Sequence, residues 1–447
     1  MKVNLGRWTL PPAAQAALRR PAISIDWDED QLINGHILIA GGSGTGKTHN
    51  IRKFCREFER SASGPLRIHV FDVHDDINIA GASDIVFSEA SDVGLNPLVI
   101  DPNIHTGGVR KAISNLIQTI NKTSRQLGDR QEAALRSLLE ELYTVNGFHQ
   151  NKPETWRPNP AIHKRNGGRF PNIDDLYRWG AYKYKQLFVG GSIKSASALD
   201  KVNRESSKLQ RYVAERSKEK KDSDDIPDTE DMKSLKESAI EAYSDFVRSI
   251  KTGKEFDDLL KYDSKNTLKS VLDRIENLQH CGVFRNQGLN FDPHSTVWRY
   301  RLKHLGPEEK KMFVHFRLRE LYLNALRRGE QDRIVEVIVI DESNMFMDDS
   351  KDNIISIMAN EIRKFGTALV CASQSFTHFS DDFLASAGTK MILGIDEMFW
   401  DKTCRQLQLK KEWLANITPR RSALVNMKRT VQDDLSGFKW FLPDLSP

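Results

Sequence analysis

The sequence predicts an α/β fold that is interrupted by a mainly α-helical insertion. Short apolar runs typical of buried strands lie near both ends of the 447-residue chain, within 24–97 and 291–427. Between them, apolar residues recur mostly at helical spacing and charged residues fill the other positions. We therefore expect one α/β domain made of residues 1–108 and 291–447, with the helical insertion at 109–290.

Composition indicates an ordinary folded protein. Hydrophobic residues make up 39% and charged residues 28% of the chain, which excludes global disorder and a fibrous repeat. The sequence has no apolar stretch of about 18 residues and no apolar run of a secretory signal at its start, so we expect a cytoplasmic protein without membrane insertion. The 4 cysteines form no CxxC pair, which fits a reducing compartment. A net charge of +5 is too small to indicate nucleic-acid binding by itself.

The strongest motif lies between a predicted strand and a predicted helix. Residues 36–40 are a short apolar strand, and residues 48–60 carry apolar side chains at helical spacing. The segment between them matches G-x-x-x-x-G-K-[ST], with the residues Gly41, Gly42, Ser43, Gly44, Thr45, Gly46, Lys47 and Thr48. The order strand, loop and helix favours a phosphate-binding loop over an ordinary glycine-rich turn.

Each part of this loop has a physical role in binding a nucleoside triphosphate. Glycines let backbone N–H groups turn towards the phosphates, and the helix N-terminus adds a partial positive charge. The ammonium of Lys47 can reach the β- and γ-phosphate oxygens, and the hydroxyl of Thr48 can bind Mg²⁺. The motif therefore predicts ATP and Mg²⁺ as cofactors.

A second predicted strand ends in two carboxylates. Residues 335–340 form an apolar run typical of a buried strand, and Asp341 and Glu342 follow it directly. Beside a phosphate loop, Asp341 is expected to bind Mg²⁺ and Glu342 to accept the proton of the attacking water. An acidic pair at a strand end without a catalytic role is the alternative.

Two further residues favour a motor over a small-molecule kinase. A predicted helix ends at Gly366 with two cations in its last turn, and the strand that follows ends at Gln374. Arg363 is a candidate arginine finger, and Gln374 is a candidate γ-phosphate sensor. Alternatively, Arg363 compensates the helix dipole and Gln374 makes a turn hydrogen bond.

Taken together, these motifs resemble the HerA/FtsK superfamily, nearest to its HerA branch, with type IV secretion ATPases as close relatives. The matching segments are 36–48, 72–76, 94–98, 338–342, 363–366 and 372–374. The resemblance implies a RecA-like P-loop NTPase core and a homo-hexameric ring that holds ATP between neighbouring subunits. It also implies that DNA or another polymer passes through the pore of the ring.

By position, the resemblance assigns roles to the residues already singled out. Lys47 and Thr48 match the phosphate loop, Asp341 and Glu342 the acidic pair, Arg363 the inter-subunit arginine, and Gln374 the sensor glutamine. The insertion is matched poorly. HerA proteins commonly carry an N-terminal β-barrel, whereas only about 35 residues precede the first predicted strand. We therefore expect that barrel to be absent or supplied by a partner.

Three other features stay open at this stage. Asp72 and His74 lie where HerA-like sequences carry an aspartate and a histidine near the nucleotide, but His74 also fits a plain turn residue. Residues 206–236 contain mixed charge runs, which indicate an exposed or mobile segment or else a solvated helix. Residues 298–304 alternate cations with aromatics, as a nucleic-acid surface does, but the alternation favours an edge strand with one wet face.

Three functions are compatible with these observations. The first is a hexameric DNA translocase or helicase that works with a nuclease or another effector in DNA processing or phage defence. The second is a motor for protein export or conjugative transfer. The third is a ring scaffold that organises a partner enzyme. The absence of a membrane-spanning stretch in the sequence favours the first over the second.

Overall fold

Two units make up the described part of the chain. The computed structural model describes residues 1–9, 15, 21–189, 201–212, 230–249, 261–262, 264–285, 287–348, 353–430 and 439–445. Unit 1 comprises Met1–Leu95 and Cys281–Pro447, and unit 2 comprises Asn96–His280.

Both unit boundaries lie N-terminal to the predicted limits of 109 and 290. The hydroxyl of Tyr143 donates to the carbonyl oxygen of Leu98 at 2.9 Å, which ties the loop before the first helix to unit 2. The N–H of Leu95 donates to the carbonyl oxygen of Val283 at 2.9 Å, which ties the segment after residue 280 to unit 1. The limit at Asn96 therefore lies in the loop before the first helix of unit 2, and the limit at His280 coincides with the end of the helix Lys265–His280.

An eight-stranded sheet forms the centre of unit 1, in the order β10-β9-β3-β8-β7-β4-β6-β5. Its strands are parallel except for β10, which pairs antiparallel with β9. The strands of unit 1 are β1 (Lys2–Thr9), β2 (Ala22–Asp28), β3 (Ile37–Ala40), β4 (Arg67–Asp72), β5 (Ser83–Val86), β6 (Val297–Arg301), β7 (Glu336–Ile340), β8 (Thr367–Ser373), β9 (Thr389–Ile392) and β10 (Leu424–Met427).

The central strands are buried along their whole length, as continuous apolar runs in a parallel sheet predict. Every residue of β3, β7, β8 and β9 is buried. Unit 1 also contains the helices Lys47–Ser61, Pro307–Arg328, Ile354–Glu361, Asp381–Ser386, Trp400–Leu407 and Lys411–Ala415. Because parallel strands end at the same edge, the loops after β3, β4, β7 and β8 share one edge of the sheet.

The two N-terminal strands were not predicted, and the prediction that the first strand begins at residue 36 is wrong. β1 and β2 pair antiparallel and precede β3. The sequence pattern that indicates these strands is an alternation of apolar and polar residues. In the structure, Val3 and Leu5 are buried and Asn4 between them is exposed. The buried Trp27 packs on Phe58 of the first helix, with ring centroids 5.1 Å apart, so this hairpin extends the core of unit 1.

The prediction of an edge strand at residues 298–304 is also wrong. β6 lies inside the sheet, paired with β4 on one side and β5 on the other. Arg299 is only 3% exposed and Tyr300 is fully buried. Instead of facing water, Arg299 forms ion pairs with Asp72 at the end of β4 and with Asp84 in β5. Arg299 is therefore unavailable to a nucleic-acid surface.

Unit 2 is helical throughout its regular elements. The predicted helical pair within 109–145 is present, and its second helix buries Leu135, Leu138, Leu139 and Leu142 on one face. The helices of unit 2 are Val109–Thr123, Asp129–Val145, Ile173–Val189, 201–212, Glu230–Ser249 and Lys265–His280.

The predicted exposed segment 206–236 is only partly covered by the structure. Its ends belong to the helices 201–212 and Glu230–Ser249, and residues 213–229 lie outside the described residues. The helical ends match the alternative of a solvated helix. Among the described helices of the whole chain, none combines the length and the apolar character needed to cross a membrane.

Candidate nucleotide site

The loop 41–48 joins β3 to the helix Lys47–Ser61, as the motif requires. The N–H of Gly41 donates to the carbonyl oxygen of Ser373 at 3.0 Å, and the N–H of Gly42 to that of Gly394 at 2.8 Å. Gly44 and Gly46 adopt the left-handed conformation, with φ of 76° and 105°, which side chains other than glycine rarely tolerate. The loop is thereby fixed at its start and turns sharply into the helix.

Lys47 lies between the loop and the acidic pair. Its ammonium donates to the carbonyl oxygen of Gly41 at 2.8 Å and lies 3.5 Å from Oε1 of Glu342. Both side chains are about 10% exposed, so the two charges face each other in a sheltered position. A phosphate placed at the loop would offer Lys47 stronger acceptors than the backbone carbonyl oxygens it now contacts.

Glu342 has a strained backbone. Its φ of 45° and ψ of 49° place it in the left-handed region, which costs a residue with a side chain on the order of 1–3 kcal/mol. The hydroxyl of the next residue, Ser343, donates to the carbonyl oxygen of Ala372 at 2.8 Å and so anchors the turn to β8. Such strain concentrates at functional sites, and here it directs the Glu342 carboxylate towards Lys47.

Oxygen ligands suited to a divalent cation converge beside Lys47. Carboxylate oxygens of Asp72, Asp76 and Asp341 lie within 4.8 Å of one another, and the Thr48 hydroxyl donates to Oδ2 of Asp76 at 3.1 Å. Burial is the main cause that raises the pKa of Asp341 to about 7, and the carboxylates of Glu342, Asp76 and Asp72 raise it further. A hard cation such as Mg²⁺ prefers this set of hydroxyl and carboxylate oxygens and would relieve the crowding of negative charge.

The turn after β4 is held by a buried ion-pair network. The carboxylate of Asp72 accepts from the N–H groups of Asp75 and Ile77 at 2.7 and 2.9 Å, and from Nε of Arg299 at 2.9 Å. Arg299 also contacts Asp75 at 2.9 Å and Asp84 at 3.1 Å. Asp72 is fully buried and its carboxylate accepts these bonds. Of the three carboxylates, Asp72 therefore shapes the turn that presents Asp76 to Thr48, and Asp76 and Asp341 are the better candidates to bind a cation.

His74, the other residue expected near the nucleotide at this turn, is an exposed side chain in the bend after β4. Its position matches the alternative of a turn residue. Asp76, two residues further on, is the member of this segment that contacts the phosphate-loop helix.

Gln374 lies at the same edge of the sheet as the phosphate loop. β8 is hydrogen-bonded to β3 on one side and to β7 on the other. Gln374 follows Ser373, whose carbonyl oxygen accepts from the N–H of Gly41, and its side chain is exposed. Gln374 therefore follows β8 at the edge of the sheet that also carries Lys47, Asp341 and Glu342.

Arg363 lies at the opposite edge. It belongs to a short 3₁₀ turn, Ile362–Phe365, that precedes β8, and Gly366 ends this turn in the left-handed conformation. Its charge contributes, after burial, to lowering the pKa of His36 to about 4, and His36 precedes the start of β3. The length of β8, about 20 Å at roughly 3.3 Å per residue, separates Arg363 from the phosphate loop of its own chain.

Sequence inspection missed two residues of this site. Asp76 was overlooked because its contact with Thr48 depends on how the turn after β4 folds back over the helix. Arg420 was overlooked because it lies far along the chain, although its Nε donates to the carbonyl oxygen of Gly44 at 2.7 Å. The sequence pattern Asp72-x-x-Asp75-Asp76 was a usable signal for the first, and we find none for the second.

Comparison with known proteins places the fold. The sequence matches no family model and no curated protein at a significant level. The structure is similar to VirB4 of Thermoanaerobacter pseudethanolicus, with a TM-score of 0.61, 14% identity and coverage of 100% of this chain and 96% of that chain. It is also similar to the bacterial conjugative coupling protein TrwB, with a TM-score of 0.51, 12% identity and coverage of 100% and 94%.

A second structure of TrwB, in complex with the non-hydrolysable ATP analogue ADPNP, matches with a TM-score of 0.50, 12% identity and coverage of 100% and 95%. At this identity the likeness concerns the fold. The α/β fold that the sequence predicted is thus confirmed, and the chain has the RecA-like P-loop NTPase fold that it shares with VirB4 and TrwB.

Proposed function

We propose that the chain is an ATP-hydrolysing motor that uses Mg²⁺. The observation that carries this proposal is the convergence of Lys47, Thr48, Asp341 and Glu342 at one edge of the sheet, with Lys47 3.5 Å from Glu342. Bound Mg²⁺ would neutralise the phosphate oxygens, and Thr48 and Asp341 would hold it. Lys47 contacts the β- and γ-phosphates, Glu342 accepts the proton of the attacking water, and Gln374 senses the γ-phosphate.

The motor is a closed ring of six copies of the chain. The position of Arg363 supports this part of the proposal, because an arginine at the far edge of the sheet cannot reach the phosphates of its own subunit. In a ring, the same edge can face the nucleotide of the next subunit. A cation supplied by a neighbour stabilises the charge that develops on the transferred phosphoryl group.

DNA is the polymer that the motor moves. The resemblance of segments 36–48, 363–366 and 372–374 to HerA proteins favours a DNA translocase or helicase with a nuclease or other effector as partner, in DNA processing or phage defence. A second candidate, a motor for protein export or conjugative transfer, is favoured by the structural likeness to VirB4 and TrwB.

A single set of turnover measurements tests the proposal. ATP hydrolysis by the wild-type chain is measured with Mg²⁺, alone and with added double-stranded or single-stranded DNA. We expect DNA to stimulate turnover several-fold. Stimulation by neither form of DNA, in rings of confirmed mass, would shift the assignment to the export motor.

The matched variant is Lys47→Ala, which removes the ammonium that neutralises the β- and γ-phosphates. We expect its turnover to fall to background, with or without DNA. Thermal unfolding without nucleotide provides the control for folding. A folded Lys47→Ala protein that hydrolyses ATP at the wild-type rate would overturn the proposed function.

A further inference from the structure

A turn from the C-terminal part of unit 1 contacts the phosphate loop. The N–H of Arg420 donates to the carbonyl oxygen of Thr45 at 3.2 Å, and its guanidinium Nε donates to the carbonyl oxygen of Gly44 at 2.7 Å. Two adjacent carbonyl groups of the loop are therefore bound by one residue that lies more than 370 positions away in the sequence.

The turn is built to hold this position. The N–H of Thr418 donates to the hydroxyl of Ser422 at 2.8 Å, and the N–H of Ser422 donates to the carbonyl oxygen of Thr418 at 2.9 Å. Within this closed turn, Arg420 has a φ of 66°, a left-handed conformation that residues with side chains seldom adopt. Non-glycine residues in this conformation occur most often at functional sites, so the turn that carries Arg420 is a candidate functional element.

The contact has a direct consequence for the loop's N–H groups. Among the described residues, the N–H groups of Ser43, Gly44 and Gly46 donate to no acceptor. The C=O and N–H of a trans peptide unit point in opposite directions. Binding of the Thr45 carbonyl oxygen by Arg420 therefore holds the N–H of Gly46 towards the other side of the loop. Hydrogen bonding at a carbonyl also polarises the peptide unit, which strengthens its N–H as a donor.

We infer that Arg420 is a positioning residue for the polyphosphate of a nucleoside triphosphate. This inference rests on the proposed function. Arg420 fixes the loop in the shape in which its N–H groups face the phosphates. Its positive charge also lies beside the loop, where it favours a bound polyanion. Its effect is therefore on nucleotide affinity, whereas Glu342 acts on the hydrolysis step.

The test uses the full-length chain and a non-hydrolysable ATP analogue with Mg²⁺. We expect Arg420→Ala to raise the Kd for the analogue roughly tenfold or more, as loss of a charged hydrogen-bond donor predicts. The KM for ATP should rise in parallel while kcat at saturating ATP changes less than about twofold, because uniform binding is lost. Arg420→Lys should restore part of the affinity, since the charge remains but the fixed fork of donors is lost.

Two further variants separate this role from a structural one. Arg420→Gly suits the left-handed backbone and lacks the side chain, so an equal loss of affinity in the Gly and Ala variants assigns the effect to the guanidinium. Arg421→Ala is the matched control, because this exposed cation in the same turn makes its hydrogen bonds through its backbone within the described residues. It should bind the analogue as wild type does.

The possible failures are distinguishable. If the wild-type chain does not bind the analogue, the proposed function fails together with this inference. If the wild type binds and Arg420→Ala binds equally well, only the role of Arg420 is overturned. If Arg420→Ala lowers the melting temperature without nucleotide but leaves both KM and kcat at the wild-type values, Arg420 is a structural contact only.

Discussion

The two edges of the central sheet differ in what they contribute to the chemistry. At the carboxyl edge, Lys47 lies 3.5 Å from Glu342, and the charges of both residues act on the pKa of Asp341, although β3 and β7 are about 300 residues apart in sequence. At the amino edge, Arg363 lies alone among the predicted site residues. One edge therefore holds a nearly complete phosphate site, and the other offers a single cation.

This difference shows how much of the site one subunit can build. All the groups that we propose to bind phosphate, metal and water come from segments that directly follow parallel strands, and these segments share an edge by topology. The arginine precedes its strand and is displaced by the length of β8. An active site that needs both edges must therefore be completed by a second copy of the chain, and the predictions below test that conclusion.

The largest effect is expected for Arg363→Ala. If Arg363 acts on the neighbouring nucleotide, its loss should lower turnover by about 10³–10⁵-fold. The measurement is steady-state ATP hydrolysis by rings whose mass has been confirmed. Lys364→Ala is the matched control, because Lys364 is an exposed cation in the same turn whose ammonium lies over the Phe365 ring. It should remain active.

Mixing variants tests whether Arg363 acts across the interface. A Lys47→Ala subunit lacks a working site but retains its arginine, and an Arg363→Ala subunit has the reverse defect. Mixed rings therefore contain some interfaces with both groups intact, and part of the activity should return. If mixed rings form but stay as inactive as either parent, Arg363 acts within its own subunit or only caps its helix.

A smaller loss, of about 10²–10⁴-fold in turnover, is expected for Glu342→Gln, because the amide cannot accept the proton of the attacking water. Nucleotide affinity should not fall, since Lys47 is no longer held 3.5 Å from a carboxylate and is free to contact the phosphates. Separate titration of ATP binding and measurement of turnover check this. Weakened affinity with normal turnover would contradict the role given to Glu342.

The sequence predicted the parts of this site that depend on local spacing. The phosphate loop follows from glycines placed at fixed offsets between a strand and a helix, and the acidic pair from an apolar run that ends in two carboxylates. Both patterns can be recognised in the sequence without knowing which strands pair in the sheet. The sequence also predicts the edge of the sheet at which each of the other two residues lies, because Gln374 follows β8 and Arg363 precedes it.

What the sequence could not supply depends on long-range contacts. Alternating charges at β6 suggested an edge strand, yet Arg299 is buried because Asp72 and Asp84 from two neighbouring strands neutralise it. The contacts of Asp76 with Thr48 and of Arg420 with Gly44 join segments whose proximity arises only from the fold. A buried charge cannot be distinguished from a solvated one by periodicity when its partners are distant in sequence.

The smallest effect concerns the support of the Arg363 turn at the amino edge. Arg328 donates from Nη2 to the carbonyl oxygen of Phe365 at 3.0 Å, to the Thr367 hydroxyl at 2.7 Å and to Oε2 of Glu336 at 3.1 Å. These bonds fix the end of the turn that carries Arg363.

We therefore expect Arg328→Lys to lower turnover a few-fold through the position of Arg363, since a lysine cannot reproduce the planar fork of donors. The Arg328 side chain is 28% exposed, so the accompanying loss in the free energy of unfolding should be modest, about 1 kcal/mol. Arg327→Lys, at the exposed neighbouring position, is the control and should change neither quantity. Because Arg328 contacts no residue of the phosphate site in the described part of the chain, the Kd for nucleotide should stay at the wild-type value while turnover falls. A rise in that Kd, or unchanged turnover in a variant whose unfolding free energy has fallen, would mean that the amino edge supports the fold without positioning the arginine.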